Sequence, residues 1–425
     1  MDQNDTRYAA YVRILKGELV PAMGCTEPIA IAFTAAKARH VLGETVERMC
    51  IEASGNIIKN VKSVVVPHTD GRKGIEAAAA IGVIAGNDEK SLEVIADVNA
   101  EKIAELDDFL RSVPIAVKHA ETGNPLDISV FVYHGEDYAM VRVAHSHANV
   151  VHVEKNGEIL LHKDIEHVAG YGSDYALLSM DGIYDFALSA DLKDVEEVIG
   201  RQIAYNTAIS DEGLAHSYGA NIARVLLDTY GDRVEIRARA RAAAGSDARM
   251  GGCELPGIIN SGSGNQGMTA SLPVIEYAKE LGVSKEKLYR ALLISNLVTI
   301  YQKIHIGRLS AYCGAVSAGA GAGAGITYLL GGDEKHIAHT VVNALAITSG
   351  IICDGAKPSC AAKISSAVDA GILGCKMYME GKEFKRGDGI VGCSIEETIE
   401  HVGDLARIGM KETDEEIIDM MIHNG

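Results

Sequence analysis

The sequence predicts an α+β protein, in which a mostly helical core is interrupted by an inserted α+β subdomain. Apolar residues recur at helical spacing near the N-terminus and through most of the second half. Between these regions, short runs alternate between apolar and polar residues, as half-buried strands do. The 45 glycines, with only 5% aromatic residues, favour close helix packing. We therefore expect core helices over 1–43, the insertion over 44–165 and the main helical core over 166–425.

The first element is a helical region over residues 6–42. Thr26, Glu27 and Pro28 have the composition of a helix cap and first turn. The Ala-rich run that follows predicts a well-formed helix from Glu27 to about Val41.

The insertion contains both strands and helices. The dipeptide Asn156-Gly157 predicts a hairpin turn between its last two strands. Strands are predicted over 46–53, 63–66, 115–120, 128–133, 138–144, 150–155 and 159–162, and helices over 74–85 and 100–111.

The second half returns to helices separated by Gly-rich turns. One stretch, 309–332, has no charged residue and is long enough to cross a bilayer. Its Gly, Ala and Ser residues contribute little transfer free energy, so we expect a buried helix and no membrane association. Helices are predicted over 174–208, 211–230, 268–281, 285–300, 314–330, 335–353, 359–380 and 394–408.

The charge balance restricts the partners. The 40 basic residues face 58 acidic ones, for a net charge of −18, so we expect no nucleic-acid partner. The polar N-terminus lacks a signal-like apolar segment, which favours a cytoplasmic protein with reduced cysteines. The Gly/Ala-rich core is compatible with a homodimer whose interface continues this packing.

Three of the eight cysteines stand out by position. Cys313 precedes the Gly/Ala-rich helix, Cys353 is expected to end a helix, and Cys360 opens the next one. Helix N-termini favour thiolates and would also stabilise an anionic iron–sulfur cluster. The gaps of 40 residues (313 to 353) and 7 residues (353 to 360) match no ferredoxin spacing. Spacing alone therefore favours buried thiols or another metal over a cluster.

Cys25 lies just before a predicted helix. The helix dipole is expected to lower the pKa of its thiol, which suits a base or a nucleophile. A packed thiol at a helix start is an equally good interpretation of the same position.

A Gly/Ser/Asn segment over 260–273 leads into a helix predicted to begin near Met268. Its backbone N–H groups, with Ser261, Ser263 and Asn265, could hold a carboxylate or phosphate. Lys357, between two of the cysteines, is a second candidate for a substrate carboxylate. An ordinary flexible turn explains the 260–273 segment, and a similar segment over 54–60, at least as well, and a solvated loop charge is the favoured interpretation of Lys357.

Three histidines, His145, His147 and His152, have the spacing of one strand face. Metal binding by such a row is one interpretation. A solvated sheet face is the interpretation that we favour.

Five segments together resemble the L-cysteine desulfidase family, which is related to the iron–sulfur L-serine dehydratases. They are PAMGCTEPIAIA, SGNIIKNV, GSGNQGMTASLPV, CGAVSAGAGAGAGITYLLGG and SGIICDGAKPSCAAKISSAVDAG. Any one Gly-rich segment is unspecific, whereas five in this order are specific. The resemblance covers nearly the whole chain, and its looser dehydratase part covers mainly residues 250–375.

The resemblance implies a 4Fe-4S cluster held by Cys313, Cys353 and Cys360, with Cys25 as the catalytic cysteine and a small amino acid as substrate. It implies conversion of L-cysteine and water to pyruvate, ammonia and sulfide without pyridoxal phosphate. The alternatives are an L-serine dehydratase on the same scaffold, a non-catalytic iron–sulfur redox or iron sensor, and a pyridoxal-phosphate lyase.

Overall fold

The computed structural model describes residues 1–164, 172–307 and 309–423, and it confirms the predicted α+β fold. The helices are α1 (Thr6–Glu18), α2 (Thr26–Leu42), α3 (Gly55–Val61), α4 (Gly74–Ala85), α5 (Ala100–Ser112), α6 (Met180–Ser189), α7 (Glu196–Ala215), α8 (Ile222–Tyr230), α9 (Val234–Met250), α10 (Gly264–Glu280), α11 (Lys285–Ile306), α12 (Gly314–Leu329), α13 (Glu334–Thr348), α14 (Ser359–Met379), α15 (Ile395–Asp404) and α16 (Lys411–His423). The strands are β1 (Pro21–Met23), β2 (Arg48–Ala53), β3 (Ile115–His119), β4 (Asp127–His134), β5 (Asp137–Ala144), β6 (Val150–Lys155), β7 (Glu158–His162) and β8 (Pro256–Ile258).

A six-stranded mixed sheet forms the centre of the α+β unit, in the order β3-β2-β4-β5-β6-β7. Only β2 and β3 run parallel, and the remaining neighbours are antiparallel. Three adjacent strands each contribute one fully buried residue to a row across the sheet, namely Ile51, Val130 and Val141. This row explains the period-2 pattern of the sequence, because one face of the sheet is covered.

Helix α2 packs on β4 and β5 and against α4, and it shares the apolar core of the sheet. Helix α1 instead belongs to the larger core of the helical unit. The two N-terminal helices thus join different apolar cores, and the division at residues 43 and 44 stays a prediction. The predicted boundary between 165 and 166 lies outside the described residues.

The Gly/Ala-rich helix α12 lies at the centre of the helical unit, in contact with α10, α11, α13 and α14. Gly319 of α12 comes so close to α14 that an added Cβ would lie 2.4 Å from the carbonyl oxygen of Ala367. Small side chains therefore permit this close helix packing, and the uncharged stretch is a buried helix. No helix in the described ranges combines the length and apolar character needed to cross a membrane.

Several local predictions were wrong. Residues 63–66 form no strand, and only Val65 makes an isolated bridge, to Lys73. The predicted helix over 335–353 ends at Thr348. Helices α3, α9 and α16 were not predicted, and α10 begins four residues earlier than expected.

Candidate active site

A cavity lies between the two units, and residues from both line its wall. Water can occupy about 100 Å³ of it, enough for several water molecules or a small ligand. Its lining includes seven of the predicted site residues, namely Cys25, Ser261, Ser263, Asn265, Cys313, Cys353 and Cys360. Segments that lie far apart in the sequence thus meet at one site.

Backbone pairing explains why Cys313 and Cys353 meet. The N–H of Cys313 donates to the carbonyl of Ile351 at 3.1 Å, and the N–H of Cys353 donates to that of Ala311 at 2.6 Å. Tyr312 and Ile352 form the bridge between these bonds. Cys353 therefore lies in an extended segment beyond the end of α13, and the prediction that it ends that helix was wrong.

Cys360 completes the group at the start of α14. Its N–H donates to the carbonyl of Lys357 at 3.0 Å, and its Sγ lies 3.6 Å from the carbonyl oxygen of Gly355. Cys360 and Cys25 also pack in the same small apolar cluster with Val64. The three cysteines and Cys25 therefore face a common space.

Burial, rather than the helix dipole, dominates the acidity of the Cys313 and Cys360 thiols. Burial, with a further contribution from the Cys353 sulfur, raises the pKa of Cys313 to about 12. Burial also raises the pKa of Cys360. The prediction that helix N-termini make these thiolates easy to form is therefore wrong for the protein without a bound metal, although a metal would displace the proton.

Cys25 occupies the cap position of α2 and makes no capping hydrogen bond with its side chain. Its Sγ instead donates to Oε2 of Glu27 at 2.9 Å. Burial and then the charge of Glu27 raise the pKa of the Cys25 thiol well above its usual value, against a lowering influence of Arg249. The predicted lowering of this pKa is wrong because the thiol is almost wholly removed from water.

Glu27 is a buried carboxylate at the centre of a polar group. Its Oε1 accepts a hydrogen bond from Nδ2 of Asn60 at 3.0 Å and lies 3.7 Å from Nε2 of His147. Burial alone would raise the pKa of Glu27, but His147 and then the Cys25 hydrogen bond lower it to about 2. The Glu27 carboxylate beside the thiol is therefore ionised at neutral pH.

The loop before α10 supplies another part of the cavity wall. Its backbone turns at Ser261, which has a φ of 51°, and Thr26 Oγ1 donates to the carbonyl of Gly262 at 2.9 Å. Asn265, in the first turn of α10, accepts a hydrogen bond from Nη1 of Arg249 at 3.2 Å. Arg249 is 2% exposed and also lines the cavity.

The profile of the serine dehydratase alpha chain family matches residues 89–419, more than three quarters of the chain. The chain belongs to this family. It is also 58% identical to a UPF0597 protein of Desulfitobacterium hafniense, over 100% of this chain and 99% of the relative. UPF0597 proteins of Lachnoclostridium phytofermentans and Treponema denticola are 54% and 46% identical, over 98% and 99% of this chain and 100% of each relative.

In this member of the serine dehydratase alpha chain family, one predicted residue lies apart from the others. Lys357 is not among the residues that line the cavity, and its ammonium pairs with Asp354 at 2.7 Å. The structure therefore brings together every predicted site residue except this one.

The histidine row has a different structure from the predicted sheet face. Only His152 lies in a strand, β6, whereas His145 has a φ of 66° in the turn that follows β5. That turn directs His147 into the cavity, where it is 5% exposed. The favoured interpretation as a solvated face was wrong for His147.

Sequence reasoning also missed Glu27, Asn60 and Arg249 as site residues. Glu27 was interpreted only as part of a helix start, and Asn60 as part of a flexible turn. The signal available for Glu27 was its position two residues after Cys25, within reach of the thiol. Arg249 gave no comparable signal because its helix was not predicted.

Proposed function

We propose that this protein is an iron–sulfur-dependent β-eliminating lyase whose substrate is L-cysteine. The observation that carries the proposal is the convergence of Cys313, Cys353 and Cys360 with Cys25 on one cavity. Membership of the serine dehydratase alpha chain family supports a lyase of the serine dehydratase type. The cysteine specificity rests on the resemblance of the five motif segments.

The donor set fits a cluster better than a single metal ion. Within the part of the chain that is described, no three His, Cys, Asp or Glu side chains converge closely enough to hold one ion. Thiolates that bind different irons of a cluster lie further apart than the ligands of one ion, and they must at least face the same cavity. Cys313, Cys353 and Cys360 do so, and all three are free thiols.

These three cysteines would hold the 4Fe-4S cluster. Three thiolates leave one iron without a protein ligand, and such an iron supplies Lewis-acid chemistry toward a substrate oxygen, nitrogen or sulfur. The protein provides the remaining functions through its own side chains and backbone.

The α10 N-terminus and the loop before it bind the substrate carboxylate in this proposal. Ser263 occupies the cap position of α10, and its side chain makes no capping hydrogen bond. Its hydroxyl and the first N–H groups of α10 are donors of the kind that bind carboxylates, whereas the hydroxyl of Ser261 donates to Oδ1 of Asn260 at 2.8 Å and would have to turn to do so. They place the α-carbon of the substrate in the cavity that Cys25 borders.

Cys25 removes the α-proton in this proposal. Because its thiol is protonated and donates to Glu27 Oε2, it must first release its proton to water; Glu27, whose pKa is about 2, does not keep that proton. The thiolate then takes the α-proton, the Cα–H electron pair forms the Cα=Cβ bond, and the Cβ–S bond breaks to release hydrosulfide. The aminoacrylate tautomerises to an imine, and water hydrolyses it to pyruvate and ammonia.

L-Serine is the second candidate substrate, because the family to which the chain belongs is named for serine dehydratase. It differs from L-cysteine only in its leaving group. The same carboxylate site and the same base would serve both substrates. Parallel measurement of sulfide release from L-cysteine and pyruvate formation from L-serine distinguishes them.

The test is anaerobic purification with quantification of iron and sulfide, followed by both assays. Cys313→Ser should lose cluster absorbance and activity together. Cys25→Ser should keep the cluster and lose turnover by about 10²-fold or more, as expected when a general base is removed. Cys50→Ser is the matched control, because Cys50 lies on β2 outside the cavity lining.

Two outcomes would refute the proposal. Protein that binds neither iron nor sulfide under these conditions would exclude the cluster. A fully loaded protein that is inactive toward both amino acids would exclude the lyase and favour a cluster protein with a sensing role.

A further inference from the structure

We propose that Arg249 is the anchor for the α-carboxylate of the ligand, through the Nε and Nη2 edge of its guanidinium. This inference rests on the proposed function for the identity of the ligand, a small α-amino acid. It assigns the binding to a residue of α9 that no sequence motif indicates. The loop at 261–265 then serves to orient the guanidinium as well as to contact the ligand.

Two nitrogens of Arg249 carry the argument. The side chain is 2% exposed, yet among the described residues Nε and Nη2 have no hydrogen-bond partner. Buried donors are normally satisfied, and an unpaired one that is charged is costly. An arginine in this position indicates that a partner of opposite charge arrives with the ligand.

The geometry of the guanidinium identifies the kind of partner. Nη1 donates to Oδ1 of Asn265 at 3.2 Å, which fixes the plane of the group. Nε and Nη2 are the two donors on one edge of arginine, and they match the two oxygens of a carboxylate. The two unpaired nitrogens are therefore the pair that binds a carboxylate bidentately.

The backbone of α10 approaches this edge closely, and only a glycine permits that approach. Gly264 is the first residue of α10, and a Cβ there would lie 2.3 Å from Nε of Arg249. Glycine thus leaves room where any other residue would collide with the guanidinium. The N-terminus of α10, a 17-residue helix, adds backbone N–H groups that favour the same negative charge.

The other charged group described above, Glu27, does not neutralise this edge. Its carboxylate oxygens accept hydrogen bonds from Cys25 and Asn60. Arg249 and Cys25 both border the cavity, so a carboxylate on Arg249 would hold the adjacent α-carbon near the thiol. Arg249 is therefore placed to bind the substrate and to orient its α-proton.

The experiment measures equilibrium binding to the full-length, reduced protein, with iron and sulfide quantified in each sample. The probes are L-alanine, which has the α-carboxylate but no leaving group, and L-alaninamide, which lacks the carboxylate charge. Wild-type protein should bind L-alanine about ten- to a hundredfold more tightly, the range for hydrogen bonds to a charged group. Arg249→Gln should abolish this preference, and Arg249→Lys should retain part of it.

Arg239→Gln is the matched control. Arg239 lies on the same helix, but its guanidinium bonds to Ser365 and Asp369 and it does not line the cavity. This variant should keep the full preference. Circular dichroism confirms that each variant is folded, and the conservative Arg249→Lys variant supplies the comparison if the glutamine variant is not.

An unchanged preference in folded Arg249→Gln, or no preference in the wild type, overturns the assignment. Loss of the cluster in Arg249→Gln with the preference intact also overturns it, because Arg249 would then support the metal site. The result is independent of turnover. If the preference for L-alanine depends on Arg249 but the protein has no lyase activity, the anchor is supported and the proposed function is refuted. If the protein is an active lyase but the preference does not depend on Arg249, the proposed function stands and the anchor is refuted.

Discussion

Removing the carboxylate of Asp414 should destabilise the protein strongly, because it leaves a buried lysine without its counter-ion. Lys59 of α3 is 1% exposed, and its Nζ lies 2.5 Å from Oδ1 of Asp414 in α16. The same ammonium donates to the carbonyl of Cys353 at 3.3 Å. This pair therefore connects the C-terminal helix with both the wall of the cavity and the cysteine loop.

The expected magnitude follows from the burial of the pair. Breaking a buried ion pair from one side costs about 3–5 kcal/mol, whereas replacing both partners by apolar residues is often nearly neutral. Asp414→Leu should therefore lower the free energy of unfolding by about 3 kcal/mol or more. Lys59→Met should cost less, because the Asp414 side chain is 15% exposed and still accepts a hydrogen bond from Asn56.

The assay is urea unfolding of the reduced, metal-free protein, followed by circular dichroism in a double-mutant cycle. The double variant should be markedly more stable than the sum of the single effects implies. Additive single effects would refute the reasoning, because they would show that the two charges do not depend on each other in the folded protein.

Three further results are expected. In the reduced, metal-free protein, iodoacetamide should alkylate Cys25 slowly at pH 7 and faster above pH 9, because burial and then the charge of Glu27 raise the pKa of the thiol. Glu27→Gln should accelerate the reaction at neutral pH, and peptide mapping that shows equal rates would contradict this. Gly319→Ala should lower the free energy of unfolding by about 1–3 kcal/mol through overpacking. Gly17→Ala, where nothing lies within 4 Å of the added Cβ, should raise it by about 0.4–1 kcal/mol, and equal effects in urea unfolding would contradict the packing argument. Anaerobic addition of iron and sulfide should raise the thermal midpoint, because a group that binds only the folded state stabilises it, and an unchanged midpoint would argue against a cluster.

Local patterns were sufficient to predict most of the sheet. Alternating residues over 128–133 and 138–144 fall on β4 and β5, and Asn156-Gly157 forms the turn between β6 and β7. These features depend on neighbouring residues alone. The run over 63–66 shows where this fails, since Val64 and Val66 are buried by distant segments without forming a strand.

Helix α9 could not be predicted from such patterns. Its sequence places arginines between alanines, so no face of the helix is clearly more apolar than the others. Packing of those alanines against α7, α10 and α14 stabilises the helix instead. The inward orientation of Arg249 was hidden for the same reason.

The spacing of the three cysteines in the sequence also does not predict that they line one cavity. The gaps between Cys313, Cys353 and Cys360 carry no metal signature, and the resemblance alone implied a common role. Their proximity depends on the pairing of residues 311–313 with 351–353, which requires α12 and α13 to be in place. Likewise, the raised pKa of the Cys25 thiol follows from its burial, which depends on contacts between segments that are distant in the sequence.

The hydrogen bond from Thr26 to the carbonyl of Gly262 joins the two units at the edge of the cavity. The thiol that we assign as base stands on one side of this seam, and the three cysteines that we assign to the metal stand on the other. A ligand that contacts residues on both sides would therefore link the two units while it is bound.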